Sequence, residues 1–282
     1  MISVASGSVV TAVKGGKSVT GTAVDGVCVL VVPEAGVWTV SATLGGKTTP
    51  AQTVTVKSQW EAALEYGTPL GELAVGSSVF TNVNGVRTEF LVVNQGKPSD
   101  IYDDSCDGTW LLMKDCYESR QWHRKNVNKY ESSDIHSYLN STFLNLFESA
   151  IMDVIKQVKI PYRENGGSGG TNQSGANGLS CKIFLLSGYE VGFTSSDNNG
   201  FPVDGTKLSY FESGSGTSAS NKRSANYNGS TIYWWFRSPH ASLTESVWSD
   251  YGHGQATLSQ GIRPALVLPS TLLASDDGTI SA

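Results

Sequence analysis

"WWFRSPHASLTESVWSDYGHGQATLSQGIRPALVLPS", residues 234–270, decides how the larger part of this chain is read. Its ends have the character of packed structure. Trp234, Trp235 and Phe236 lead, and Ile262, Ala265, Leu266, Val267 and Leu268 follow. The run between them is small and polar, with a Tyr, two His and a Leu scattered through it and no period of a helix or strand. A surface that tolerates any sequence cannot carry the fold, so stability has to come from its frame. Trp234, Trp235, Phe236, Trp248, Ile262 and Leu266 are the suppliers, each worth roughly 1.5–3 kcal/mol when buried. Trp248 therefore reads as an internal anchor inside an otherwise exposed run. Arg237 and Arg263 read as structural pins, because a guanidinium bridges carboxylates or carbonyls bidentately.

Working outward, the composition bounds the rest. The chain has 282 residues, 39% hydrophobic and 10% aromatic, enough for a real core. Charged residues make up only 16%, and there are 31 glycines. That balance suits strands joined by turns and long polar loops. The net charge of −5 argues against nucleic acid as a partner. The strongest basic cluster, "RQWHRKNVNK" at 120–129, reads as a solvated loop. No stretch approaches the ~18 apolar residues of a membrane span, and "MISVASGSVV" lacks the features of a signal peptide. The expectation is a protein that stays inside a cell, leaves by lysis, or leaves in an assembled particle. Cys28, Cys106, Cys116 and Cys181 show no metal-ligand spacing and read mostly as buried thiols. A bridge between Cys106 and Cys116 stays open.

Residues 1–57 are cut into four or five Val/Thr-rich runs by Gly-Gly and Asp-Gly turns, the pattern of a small β-sandwich. Trp38, Val40, Ala42 and Leu44 alternate, which buries one face. Residues 58–78 read as a connector and 79–282 as the second domain. Its one clear helix is predicted over 132–147, with Ser132 or Ser133 as N-cap and Ile135, Leu139, Phe143 and Leu146 on one face. A shorter helix is predicted in "ESAIMDVIKQV". The polar stretches 164–178, 194–200 and 212–230 give the surface its loops.

Gly36–Gly46, "GVWTVSATLGG", resembles the recurring piece of immunoglobulin-like and carboxypeptidase-regulatory-like modules of phage tail and bacterial surface proteins. The ordered pieces "SDIHSYLNSTFLNLF", "KIFLLSGYEVG", "YWWFRSP" and "GIRPALVLPSTLLASDDG" resemble a bacterial and phage family. Its fold is C-type-lectin-like, related to the formylglycine-generating enzymes. The resemblance implies a mixed architecture, an all-β Ig-like sandwich followed by an α+β C-type-lectin-like domain with long loops. It also implies a variable protein of a diversity-generating retroelement, whose variable region spans about 234–268. The diversified ligand-binding residues it points to are His240, Ser242, Leu243, Thr244, Ser249, Tyr251, His253, Gln255, Ala256 and Leu258. The implied setting is a virion tail or cell surface, and the implied partner a host-surface protein or glycan. A homo-oligomer fits such tips, although no heptad seam declares itself.

No catalysis and no cofactor are expected. The formylglycine-generating group uses a Cys pair near its C-terminus, whereas the last cysteine here is Cys181. No Gly-x-Ser-x-Gly, phosphate loop or His-Glu-x-x-His occurs. His240 and His253 lack a third ligand, and His123 and His136 read as solvated or half-buried, so no metal site is expected. "SSDNNG" and "SDDG" read as turns rather than calcium loops. Two other readings remain: a lectin-like surface module with a fixed ligand, and an atypical formylglycine-generating-type enzyme.

Overall fold

The computed structural model describes residues 4–57, 67–194, 201–214 and 221–281. The chain divides into two units, Met1–Tyr66 and Gly67–Ala282, and is a mixed, mainly β fold.

In the first unit the Val/Thr runs become β1 (Val9–Lys14), β2 (Lys17–Thr22), β3 (Gly36–Leu44), β4 (Lys47–Thr48) and β5 (Gln52–Val56). Gly15 and Gly16, with φ of 52° and 82°, make the β1–β2 turn that needs two left-handed residues. The order is β2-β1-β3-β4, with β5 also paired to β3. Among the described residues this is one antiparallel sheet, not the two facing sheets expected of a sandwich. Trp38, Val10, Ala12 and Ala42 are buried on one face, while Leu44 runs out to exposure. That face is closed without a second ladder. Cys28 and Leu30 lie so close to Gly21 of β2 that a Cβ there would stand 2.8 Å from the Leu30 side chain.

In the second unit the central strands are β6 (Ser78–Val83), β7 (Val86–Gln95), β8 (Thr109–Met113), β9 (Glu118–Gln121) and β10 (Ile183–Phe184). The frame around residues 234–270 supplies β11 (Trp235–Pro239), β12 (Ser246–Ser249), β13 (His253–Gln255), β14 (Ser259–Ile262) and β15 (Ala265–Leu268). The main sheet runs β10-β15-β8-β7-β6 and is antiparallel. β15 sits near its centre, with Leu266 opposite Leu111 and Val267 opposite Trp110. Every residue of β8 and β15 is buried, as continuous apolar runs demand. Beside this sheet, β11-β12-β13 forms a smaller antiparallel sheet and β14 pairs with β9.

The expected helix over 132–147 is a chain of short pieces rather than one regular helix. A 3₁₀ turn at Tyr130–Ser132 leads into α1 (Asp134–Tyr138), a π turn at Leu139–Phe143 and a 3₁₀ turn at Leu144–Leu146. Ser133 is the N-cap, its hydroxyl accepting from the His136 N–H at 3.2 Å. Ile135, Leu139 and Phe143 are buried, but Asn140 has a second duty. Its amide accepts from Lys182 N and Ile183 N and donates to Ile183 O, tying the helical run to β10. The second helix is α2 (Ser149–Val154).

The expected connector 58–78 is corrected at its C-terminal end. Residues 58–66 lie outside those described. Thr68–Pro69 pairs with Leu273–Ala274, and Leu70 is wholly buried in the second unit's core. Cys106 and Cys116 are both buried and unpaired, which removes the bridge left open between them. Among the described residues no helix is long and apolar enough to cross a membrane.

Candidate functional site

The frame is held by one buried ion pair and a set of aromatic contacts. Arg237, on β11, is 1% exposed. Its Nη2 donates to Glu190 Oε1 at 2.7 Å and its Nη1 to Glu190 Oε2 at 2.5 Å. The remaining donors reach the carbonyls of Pro161, Leu185 and Asp204 at 3.0, 3.0 and 2.7 Å. Tyr102 donates to Glu190 at 2.7 Å, and the Ser187 N–H also donates to that carboxylate. Burial opposes the Arg237 charge, and Glu190 more than offsets it, so the guanidinium pKa is raised. Among the described residues Arg263 has no such carboxylate partner. It donates to Met113 O at 2.8 Å and lies over the Trp234 ring, and burial lowers its pKa to about 10.

Asp204, wholly buried beside Arg237, has neither carboxylate oxygen in a well-formed hydrogen bond. Burial pushes its pKa up to about 7, against the pull of Arg237 and the Ser238 hydroxyl. Asp250, where the exposed run turns, is raised to about 7 by the same cause although it accepts the Trp234 N–H at 2.9 Å.

Trp234 and Trp235 are 0% exposed and Trp248 is 2% exposed. Trp234 donates its indole N–H to Arg223 O, and Trp235 donates to Arg120 O. Trp248 is sandwiched. Phe201 stacks on one side at 4.1 Å between ring centroids, and His240 stacks at 5.1 Å.

The expected contact residues divide sharply. Ser242, Leu243, Thr244, Tyr251, His253, Gln255 and Leu258 are exposed, Tyr251 at 76%. Tyr251 stacks on Tyr233, itself 49% exposed, at 4.4 Å, which makes an aromatic platform. Two of the expected contacts do not belong to this surface. Ser249 is 2% and Ala256 0% exposed. Ser249 ends the middle strand of the small sheet, and its hydroxyl donates to Gly252 O. At Ala256 the chain dives inward, its N–H reaching Glu245 O and its carbonyl accepting from His123 N. A small residue permits that approach and presents nothing outward.

His240 is half-buried and holds its own loop together. Its Nδ1 faces Ser242 N, the Ser242 hydroxyl and Leu243 N, each at 3.3 Å. Burial first, and His253 second, lower its pKa. The two rings meet edge to face at 4.7 Å. Among the described residues no three His, Cys, Asp or Glu side chains gather as metal ligands. His136 is half-buried, as expected, and desolvation drops its pKa to about 4. His123 meets Asp134 at 2.9 Å. In "SDDG", Asp277 accepts from Ser275 and Thr279 as a turn carboxylate. The Asn/Gly-rich "SSDNNG" falls outside the described residues.

Asn128 escaped the sequence reading. It lies in the basic stretch taken for a solvated loop, yet it is 1% exposed. Its Nδ2 lies 2.7 Å from both Leu243 O and Ser246 O and 3.3 Å from His240 O. Its Oδ1 accepts the Gly167 N–H at 2.9 Å. One amide thus ties the exposed loop 240–246 to the Gly-rich loop 164–170. Glu190 also went unremarked as the partner of Arg237. Both act across 39 residues of chain or more, and no local pattern announces them.

Residues 107–270 match a family described as Domain of unknown function (DUF6273), which covers the main sheet from β8 onward and the whole frame. No curated protein and no solved structure matches the chain.

Proposed function

The chain belongs to the DUF6273 family, and on that premise we propose that its second unit is a recognition domain. In this reading a C-type-lectin-like scaffold displays a diversified surface, and the first unit, one antiparallel sheet among the described residues, is a spacer. The target is a host-surface protein or glycan, met from a virion tail or a cell surface. One observation carries the reading: across 234–270 burial is concentrated in the frame, while seven of the ten expected contact residues are exposed. The Tyr233–Tyr251 platform adds support, since tyrosine offers large contact area at small entropic cost.

Binding rather than catalysis is supported by the thiols. Burial raises Cys106 to about 11 and Cys116 to about 12, and also raises Cys181, so none is a ready thiolate nucleophile near neutral pH. The fixed-ligand alternative uses the same face.

Two experiments test the proposal. Binding of the full chain to host-surface extract should be lost on combining Tyr251→Ala with His253→Ala, with melting unchanged; binding untouched by the pair overturns the proposed face. In the encoding genome, a reverse-transcriptase gene beside a near-copy of the 234–268 cassette, differing at adenines, is expected. Its absence sinks diversification and leaves the fixed-ligand module.

A further inference from the structure

Beside the exposed loop lies a polar hollow of about 380 Å³, walled by residues 126–129, the loop 165–169 and Thr244. The volume is that of a small-ligand site, and the hollow is open to solvent, since Asn126, Lys129, Asn165, Ser168, Gly169 and Thr244 are all exposed. Asn165, Ser168 and Lys129 bring an amide, a hydroxyl and an ammonium to it. Among the described residues these three side-chain groups make no protein hydrogen bond or ion pair, and being exposed they are met by solvent. Asn126 contributes a further amide, whose Oδ1 accepts from the Thr257 hydroxyl at 2.9 Å.

The walls are set in place before any ligand arrives. Asn128 forms the floor and pins both loops. Gly167 is required there, because a Cβ would stand 2.8 Å from His240 O and 2.9 Å from Leu243 O. Asn165 holds a left-handed backbone at φ 64°, a conformation few side chains adopt. Its N–H is fixed by Glu131 at 2.9 Å, which leaves the side-chain amide free. The pinned backbone of the two loops loses little entropy on binding, and the exposed rim side chains are what a ligand would have to order.

We propose that this hollow is a subsite for an acidic saccharide. The amides and the Ser168 hydroxyl would take sugar hydroxyls, and Lys129 would take a carboxylate on the sugar. A bare anion would leave the amides unused. The inference stands apart from the diversified-face reading, since only Thr244 is shared between the two surfaces.

The test is a titration of the full chain with glucuronate, followed by amide NMR, with glucose and acetate as comparison probes. Saturable shifts at Gly167, Gly169 and Thr244 are expected with glucuronate, weaker ones with glucose, and none that saturate with acetate. Asn165→Gly keeps the left-handed backbone while deleting the amide, and should weaken glucuronate about five-fold with melting unchanged. Lys129→Gln should abolish the preference for glucuronate over glucose. No saturable shift with glucuronate, equal shifts with acetate, or affinity indifferent to both variants would each overturn the subsite. The Tyr251→Ala, His253→Ala pair should leave this titration unchanged, so failure of the hollow and failure of the proposed face are read separately.

Discussion

Residues 234–239 and 261–268 and the run they enclose occupy one continuous stretch of chain, yet they obey opposite rules. In the frame Trp234, Trp235, Arg237, Ile262, Arg263 and Leu266 are all nearly inaccessible. Across the enclosed run Tyr251 is 76% and Leu258 49% exposed. The difference teaches where sequence is constrained. Frame side chains are held by partners far away in the chain, Arg237 by Glu190 and Leu266 by Leu111 and Ile183. The exposed side chains have looser contacts, Tyr251 with the exposed Tyr233 and His253 with the ring edges of His240 and Trp248.

The comparison breaks most visibly at the ion pair. Glu190→Ala strands the Arg237 charge in the core and should cost about 3–5 kcal/mol, read as a fall in the denaturant midpoint. A loss under 1 kcal/mol would mean that the pair does not anchor the frame. Asn128→Ala ranks next. It removes the amide donor from the carbonyls of His240, Leu243 and Ser246 and the acceptor from the Gly167 N–H, an expected loss of about 1–3 kcal/mol. Amide exchange should quicken in 240–246 and 165–169 while the main sheet stays protected.

A pH effect follows from Asp204 and Asp250. Both carboxyls are raised to about 7, so the folded chain holds these protons more tightly than the unfolded chain does. Their contribution to stability is full below the ordinary carboxylate range and is lost as pH rises through about 7. Melting temperature should therefore decline between pH 5 and pH 8. Asp204→Asn should flatten that decline, gaining on the parent at pH 8 and not at pH 5; parallel profiles would contradict the assignment.

Much of the frame was legible because aromatic and aliphatic residues bracket a run without period. The positions of Trp234, Trp235 and Trp248 follow from that alone. Ser249 and Ala256 misled because small or polar residues tell nothing of backbone direction. Ser249 sits in a strand with a neighbour on each side, and Ala256 marks a close approach. Asn128 was hidden for a related reason: a charged neighbourhood masked one inward-turning amide. In the first unit, strands and turns were readable from Gly pairs and Val/Thr alternation. Whether a second sheet covers them depends on residues 28–32, whose alternation serves packing without a ladder.

The smallest expected effect is also the one on which the account rests. Ser242, Leu243, Thr244, Tyr251, His253, Gln255 and Leu258 replaced together, in the full chain, by residues of unrelated type should each change stability by no more than about 0.5 kcal/mol. The direct measurement is the cooperative thermal transition of that sevenfold variant, followed by near-UV circular dichroism of the buried tryptophans. The account predicts a single transition within a few degrees of the parent and an unchanged tryptophan signal. Loss of cooperativity or of that signal would show that the exposed run carries the fold, and would contradict it.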